Sequence, residues 1–412
     1  MELYYDVVVL GGGPAGISAS ISARRLGAKV LLIDKNGVLG GMSTAGLLNV
    51  WCGDSYSKIF QRVMAESDTK KSKSGRRIFS PEKLKCAYFN LMDEYGVDVL
   101  LHSFVSDVEV ENGKIKCVKT VSKSGYTSVF GSIYIDATGD GDVAKLSGIP
   151  FDMGREDGLM QPMTVEFKIG GVDTENALFK EARHDEIINR KMQEYLSDGR
   201  ISRPVGLIIL IESVEPNTAH CNMTNVIGVD ATNVLDLTRA EIEARKQIPQ
   251  IIKFLRENVK GYENCYVVSS ACYAGARESR RLKGKYTLTY LDVQEGRRFD
   301  DWIVDGAKYC FGVHNPNGKV DAVVGKPIET GNRYTIPYGC FVSEKIENLA
   351  FAGRCISGDH YAHSSYRVMP ICFAMGEGVG ALVSYAFKNG LKLNDMSIED
   401  IKKVQQLVND KI

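Results

Sequence analysis

Apolar positions recur along this chain at two spacings, and the points where one gives way to the other mark out its elements. Residues 6–10 form a continuous apolar, β-branched run, residues 14–26 are small and apolar, and residues 29–33 are strand-like again. This order predicts a strand–helix–strand unit at the start of the chain. Residues 80–95 carry helical spacing, and residues 97–110 and 114–121 read as two strands joined at Asn112 and Gly113, which predicts a hairpin. Residues 132–136 are a further short strand, running into the glycine-rich turn Ala137-Thr138-Gly139-Asp140-Gly141-Asp142 that opens the next helix.

The middle of the chain mixes strand signals at residues 163–169 and 206–211 with helical spacing at 174–196 and 237–258, without repeats. The end returns to α/β character. Residues 349–352 read as a buried strand, 369–389 as an apolar helix rich in Gly and Ala, and 397–412 as an amphipathic surface helix. The pattern predicts an α/β fold: a Rossmann-type nucleotide-binding domain split between residues 1–150 and 336–412, with an α+β substrate domain inserted at 151–335.

Composition narrows the functions open to such a fold. Lys plus Arg and Asp plus Glu number 51 each, so no net field draws nucleic acid or an anionic membrane to the protein. Small molecules are the expected partners. The first residues carry no basic segment and the apolar run after them ends in glycines, so neither a signal peptide nor a membrane span is expected there, and cytoplasm is the expected location. Ten cysteines are scattered with no C-x-x-C pair, which argues against zinc, iron–sulfur or dithiol motifs and for buried, reduced thiols.

Gly11-Gly12-Gly13-Pro14-Ala15-Gly16 contains G-x-G-x-x-G between a predicted strand and helix. There Gly11 allows a tight turn, Gly13 a close backbone approach to a pyrophosphate, and Gly16 close helix packing, while the helix N-terminus favours the phosphate charge. The acid expected about 20 residues on is Asp34, placed to accept hydrogen bonds from ribose hydroxyls, and Lys35 follows toward the adenosine end. Alone, such glycines also describe an ordinary turn; strand, fingerprint, helix, strand and acid in register make a dinucleotide site the better reading.

Four segments together resemble a known family. They are the opening, the run Gly40-Gly41-Met42-Ser43-Thr44-Ala45-Gly46, the segment from Asp136 to Ala144, and Gly353-Arg354-Cys355-Ile356-Ser357-Gly358-Asp359-His360. Their order and spacing resemble the FAD-dependent oxidoreductases related to fumarate reductase flavoproteins, within the wider glutathione-reductase-like superfamily. The resemblance implies bound FAD, lined by Gly40, Gly41 and Met42. It also implies that Val105 offers backbone groups to adenine, that Thr138 and Gly139 lie near the pyrophosphate, and that the Gly353–Arg354 turn reaches the ribityl chain. The chain departs from the family pattern at that turn: an acid usually follows the glycine, and Arg354 stands there instead, with a ribityl hydroxyl, a phosphate or the substrate as its open alternatives. The helix after Pro370, with Gly376, Gly378 and Gly380, resembles one whose N-terminus points at the flavin; close packing is the plainer role for its glycines.

The stretch from Asp359 to Arg367 puts His360, His363 and Arg367 directly after that turn. Substrate oxidation by a flavin needs a hydride acceptor and a base for the accompanying proton, and imidazole suits proton transfer near neutral pH. His360 is favoured because it fits the family pattern, with His363 as the alternative; either one singly also reads as an ordinary core or surface residue, and flavin attachment to one of them is left open. No metal is expected, since no further ligand beyond Asp359 accompanies the pair. Arg277, with Arg280 and Arg281 in the same segment, reads as either a binder of an anionic substrate or a structural contact, and pairing of the latter two with Glu278 and the FAD domain is the preferred reading. Cys52 lies close to the flavin loop but has no resolving partner in sequence, and Tyr334 and Tyr338 read as ring-covering or core aromatics. The expected function is hydride transfer between a small-molecule substrate and flavin N5. A non-redox flavoprotein and an NAD-dependent dehydrogenase are the rival readings, and with no second dinucleotide motif, electrons are expected to pass by substrate, oxygen or a protein partner. A homo-oligomer is left open.

Overall fold

The computed structural model describes residues 1–202, 207–317 and 333–410. Its main sheet runs Asp98–Leu100, Val30–Ile33, Glu2–Leu10, Gly125–Asp136, and then forks. The far end of Gly125–Asp136 pairs in parallel with Leu349–Phe351, while its near end pairs antiparallel with Lys114–Ser122 and so joins Phe104–Glu111. The five parallel strands therefore end along one edge, at Leu10, Ile33, Leu100, Asp136 and Phe351. That edge is where an open α/β sheet places its ligand. Val7 to Leu10 and all of Val30–Ile33 are buried, as expected of continuous apolar runs covered on both faces.

One layer on this sheet is a pair of helices, Pro14–Arg25 and Met369–Asn389, brought together by small residues. A Cβ on Gly376 would stand 2.1 Å from the Ala15 carbonyl oxygen, and one on Gly380 would stand 2.5 Å from that of Ala19. The close approach lets Ser18 Oγ donate to Phe373 O and Ser22 Oγ to Glu377 O, both at 2.7 Å. Met369–Asn389 is long and apolar enough to cross a membrane, but 89% of its most apolar window is buried inside the protein.

A second core lies around the antiparallel sheet Leu210–Glu212, Thr218–Cys221, Phe167–Gly170, Tyr266–Ser270, with the helices Glu186–Ser197 and Val234–Asn258 packed on it. This core draws on residues from Met163 to Ala274, with Leu47 joining it from the first segment. Leu282, Leu288, Val293, Ile303 and Val304 belong to the first core, so the chain rejoins that core before residue 336.

Several elements differ from their sequence expectation for local reasons. Residues 97–110 form two strands, because His102 takes a left-handed φ of 53° and Ser103 N donates to Asp34 O at 3.1 Å, turning the chain past the end of Val30–Ile33. Helix begins at Glu186 and not at 174, since Asp185 caps it by accepting from Ile187 N and Ile188 N, each at 2.9 Å. Met163 makes only an isolated bridge to Val226, and regular strand starts at Phe167. Gly206, in the expected strand 206–211, and residues 411–412 lie outside the described residues.

Candidate functional site

The parallel strand ends converge on the glycine turn. Gly11 has φ 107°, and a Cβ there would stand 2.3 Å from the Ala137 carbonyl oxygen. A Cβ on Gly16 would fall 1.8 Å from Gly11 O, so Gly16 is what lets the helix leave the turn so closely. Gly13 differs: its missing Cβ would meet no atom within 4 Å, which leaves open space at the helix N-cap. Among the described residues no side chain caps that helix, which begins at Pro14 directly after the turn. An uncapped N-terminus beside an open glycine is an anion-binding arrangement.

Asp34 closes the second strand. Its Oδ2 accepts from Gly12 N at 2.6 Å and its Oδ1 from Asn36 N at 2.7 Å, so the carboxylate is fixed beside the turn. Lys35 is exposed, and Val105, half-buried, is the second residue of the strand Phe104–Glu111 entered from Ser103. Gly40 N donates to Gly12 O at 2.7 Å, and a Cβ on Gly41 would lie 3.5 Å from Gly13 Cα, so the two glycine turns face one another. Met42 sits against Gly46 and Gly275. Thr138 is held by Asp136, whose Oδ1 accepts from its N at 3.1 Å and its Oγ1 at 2.7 Å; burial pushes the Asp136 carboxyl up to about 6.

Gly353 has φ 94° and a Cβ there would come within 3.2 Å of Ala15 Cβ, which brings the last strand's turn to the start of the first helix. Arg354 crosses between segments: it donates to Asp140 Oδ1 at 2.6 Å and to Ser279 Oγ at 2.7 Å, and Gly139 lies against its guanidinium. Of the alternatives open for Arg354 in sequence, an intramolecular carboxylate already takes one face of it.

Asp359 caps the short helix His360–Tyr366, accepting from Tyr361 N at 3.0 Å and Ala362 N at 2.7 Å. His360 Nδ1 lies 2.8 Å from Glu278 Oε1, and Glu278 is fully buried between His360, Arg281 and the Gln161 amide. Neither His360 Nε2 nor either ring nitrogen of His363 has a hydrogen-bond partner among the described residues. His363 is enclosed, and burial, followed by the charges of Arg281 and Arg367, holds its imidazole well below its ordinary range.

Arg367 follows this helix and donates to Gly312 O at 2.9 Å, and its Nε has no partner among the described residues. Arg277 is buried and donates to Pro162 O at 2.6 Å and Asn222 Oδ1 at 3.0 Å; burial and Arg367 push it down to about 9. Arg280 and Arg281 are structural. The first joins Asp142 Oδ1 at 2.8 Å, and the second joins Glu278, Gly154 O and Gly358 O. Tyr334 and Tyr338 lie in the core, bonded to Ser365 and to the Leu393 carbonyl respectively.

A large polar ligand fits this arrangement of an open, uncapped helix start, two facing glycine turns and a fixed acid. A family model described as FAD dependent oxidoreductase matches residues 6–408. The chain belongs to the FAD-dependent oxidoreductase family. Among its relatives, mitochondrial dihydrolipoyl dehydrogenase of Dictyostelium discoideum is 35% identical over 123 residues, 30% of this chain and 19% of that protein. Fumarate reductase (cytochrome) of Shewanella frigidimarina is 34% identical over 114 residues, 26% of this chain and again 19% of the relative. Each match thus spans under a fifth of the relative's length. In overall fold the oxidoreductase is similar to a geranylgeranyl bacteriochlorophyll reductase-like protein from Thermoplasma acidophilum, with TM-score 0.52, 15% identity and coverage of 99% and 84% of the two chains. It is also similar to a flavin-dependent brominase, with TM-score 0.51, 14% identity and coverage of 98% and 84%.

The oxidoreductase gathers further residues at this site that sequence reasoning did not single out. Glu166 is buried, accepts from Asn222 Nδ2 at 2.9 Å through Oε1, and has no partner for Oε2 among the described residues; burial, opposed by Arg277, raises its carboxyl to about 8. His314 N donates to Gln161 Oε1 at 3.1 Å, and burial with the charges of Arg277, Arg367 and Arg183 holds its imidazole well below its ordinary range. The Tyr273 hydroxyl reaches 3.9 Å from where a Gly41 Cβ would be, and burial and the charge of Asp34 push it up. No motif marks these positions, because each comes from a different segment of the inserted region.

Proposed function

We propose that this FAD-dependent oxidoreductase transfers a hydride between a small organic anion and flavin N5, with His360 moving the accompanying proton. The observation that carries this reading is the hydrogen bond between His360 Nδ1 and Glu278, with no partner for Nε2 among the described residues. A carboxylate behind an imidazole fixes its tautomer and orientation. His363 is the weaker candidate, since no carboxylate orients it and nearby guanidiniums oppose its protonation.

In this reading Gly11, Gly13, Pro14, Ala15 and Gly16 hold the pyrophosphate, Asp34 the ribose, Lys35 and Val105 the adenosine end, and Gly40, Gly41, Met42, Thr138 and Gly139 the middle of the cofactor. Gly353 lets the ribityl chain pass, and Arg354 is a positioning residue through Asp140 and Ser279. Bound FAD supplies the two-electron chemistry.

Arg367, Arg277 and Arg183 all bear on His314, and Glu166 is the carboxylate that bears on Arg277. A carboxyl raised to about 8 is mostly neutral at pH 7, so this wall carries net positive charge. A carboxylate on the substrate would meet that charge at Arg367, whose Nε has no partner among the described residues.

The test is anaerobic bleaching of the bound flavin by alcohols, amines and activated alkenes, each offered with and without a carboxylate. Bleaching by a carboxylated member, lost or weakened in Arg367→Gln, supports the reading. Bleaching only by the uncharged members would remove the anionic substrate from it.

A further inference from the structure

Gln161 sits where three parts of this site meet. Its backbone N donates to Glu278 Oε2 at 3.2 Å, on the carboxylate whose other oxygen faces His360 Nδ1 at 2.8 Å. Its side-chain oxygen accepts from Arg367 Nη2 at 3.4 Å and from His314 N at 3.1 Å. The next residue, Pro162, accepts from Arg277 through its carbonyl at 2.6 Å. One short segment thus touches the acid behind His360 and the guanidiniums of Arg367 and Arg277.

The partners of Gln161 Oε1 fix which way its amide faces. A guanidinium and a backbone N–H can only donate, so the carbonyl must meet them; the reverse orientation would set donor against donor. The amide nitrogen is therefore turned away from both. Gln161 is 1% exposed, and its Nε2 has no hydrogen-bond partner among the described residues. A buried donor is costly to leave unpaired, and an ordered water or a ligand acceptor removes that cost. What favours a ligand is the company this nitrogen keeps. His360 Nε2 and Arg367 Nε are also buried nitrogens without a partner among the described residues, and Gln161 reaches the first residue through Glu278 and the second directly.

We propose that Gln161 is a specificity-determining residue, whose Nε2 donates to the substrate carboxylate that also meets Arg367 Nε, while its Oε1 holds the guanidinium in place. This rests on the anionic-substrate reading above. Both groups offered to the ligand are N–H donors. A carboxylate presents acceptors on both oxygens, whereas the primary amide of the same acid sets one N–H against a donor. Specificity then comes from the donor left unpaired by the wrong ligand as much as from the bonds made with the right one. A hydrogen bond to a charged group corresponds to about a ten- to hundredfold change in affinity.

The experiment titrates the full-length FAD-bound protein with acetate and with acetamide at constant ionic strength, following the flavin absorbance. This small acid–amide pair asks nothing of the rest of the pocket. Gln161→Glu keeps an oxygen for His314 N and Arg367 and exchanges the donor for an acceptor. It is expected to bind acetate about ten- to a hundredfold more weakly than the wild type. It is also expected to bind acetamide more tightly, a gain that neither added negative charge nor a loosened Arg367 produces. Gln161→Met, which has neither amide group, is expected to weaken acetate without that gain. Acetate binding unchanged in both variants, or weakened in Gln161→Glu with no gain for acetamide, would overturn the role of Gln161 while Arg367→Gln still weakens acetate. Acetate binding that Arg367→Gln leaves unchanged, or no acetate binding in the wild type, would overturn the anionic-substrate reading itself and the proposal with it.

Discussion

His360 Nδ1 stands 2.8 Å from Oε1 of a fully buried Glu278 that also pairs with Arg281. An acid in that position can orient the ring without touching substrate. His360→Gln is expected to slow flavin reduction by about 10²–10⁴-fold while FAD stays bound. Glu278→Gln is expected to slow it less and to change its pH profile, because the ring keeps its place and loses the charge behind it. Stopped-flow bleaching across pH with whichever compound reduces the wild type checks both. Equal loss in the two variants, with an unchanged pH profile, would make Glu278 a purely structural residue.

Gly13 and Gly16 of the fingerprint should fail in different ways. A Cβ on Gly16 would overlap Gly11 O at 1.8 Å, so Gly16→Ala is expected to lower stability as well as FAD content. A Cβ on Gly13 would meet no protein atom within 4 Å, so Gly13→Ala should fold normally and bind FAD weakly. Thermal unfolding of FAD-stripped protein, set beside the flavin content on purification, separates the two. A Gly13→Ala protein with full flavin content would show that the pyrophosphate does not pass there.

Glu166 provides a pH test. Its carboxyl is raised to about 8 in the folded chain, above an unfolded value near 4.5, so the folded state prefers it protonated. Its contribution is fully present below the unfolded value and is lost as pH rises through the folded one. Glu166→Gln keeps the shape without the titration, so it should gain on the wild type between about pH 4.5 and 8 and level off above, by a few kcal/mol. Chemical denaturation across that range measures it, and a pH-independent difference would contradict the assignment.

The packing of Pro14–Arg25 on Met369–Asn389 depends on Gly376, where a Cβ would stand 2.1 Å from Ala15 O. Gly376→Ala is expected to cost about 1–3 kcal/mol through overpacking. It should also weaken FAD binding, since Ala15 belongs to the fingerprint. Denaturant midpoints and flavin content measure the two effects; no change in either would mean that the helices separate without cost.

Much of this was legible in the sequence, and the reasons are local. Residues 6–34 show their strands, helix and glycine turn because both faces of the sheet are covered and the apolar runs are unbroken. The pairing of Arg281 was readable because Glu278 lies three residues away, whereas Arg280 meets Asp142 and the Asp140 carbonyl of the distant glycine turn instead of Glu278. What sequence could not show is convergence. Glu166, Gln161, Asn222 and His314 come from separate segments and meet Arg277 and Arg367 only through the inserted region's fold. The strand break at His102 and the late start at Glu186 turn on single backbone or capping interactions that periodicity averages over.

The central claim is that this chain uses its FAD for redox chemistry, and anaerobic photoreduction of the purified flavoprotein followed by readmission of oxygen tests it most directly. The account predicts that the oxidised-flavin absorbance disappears on reduction and returns fully on reoxidation, with the flavin still bound. A bound flavin that resists reduction, or that leaves the protein when reduced, would contradict it.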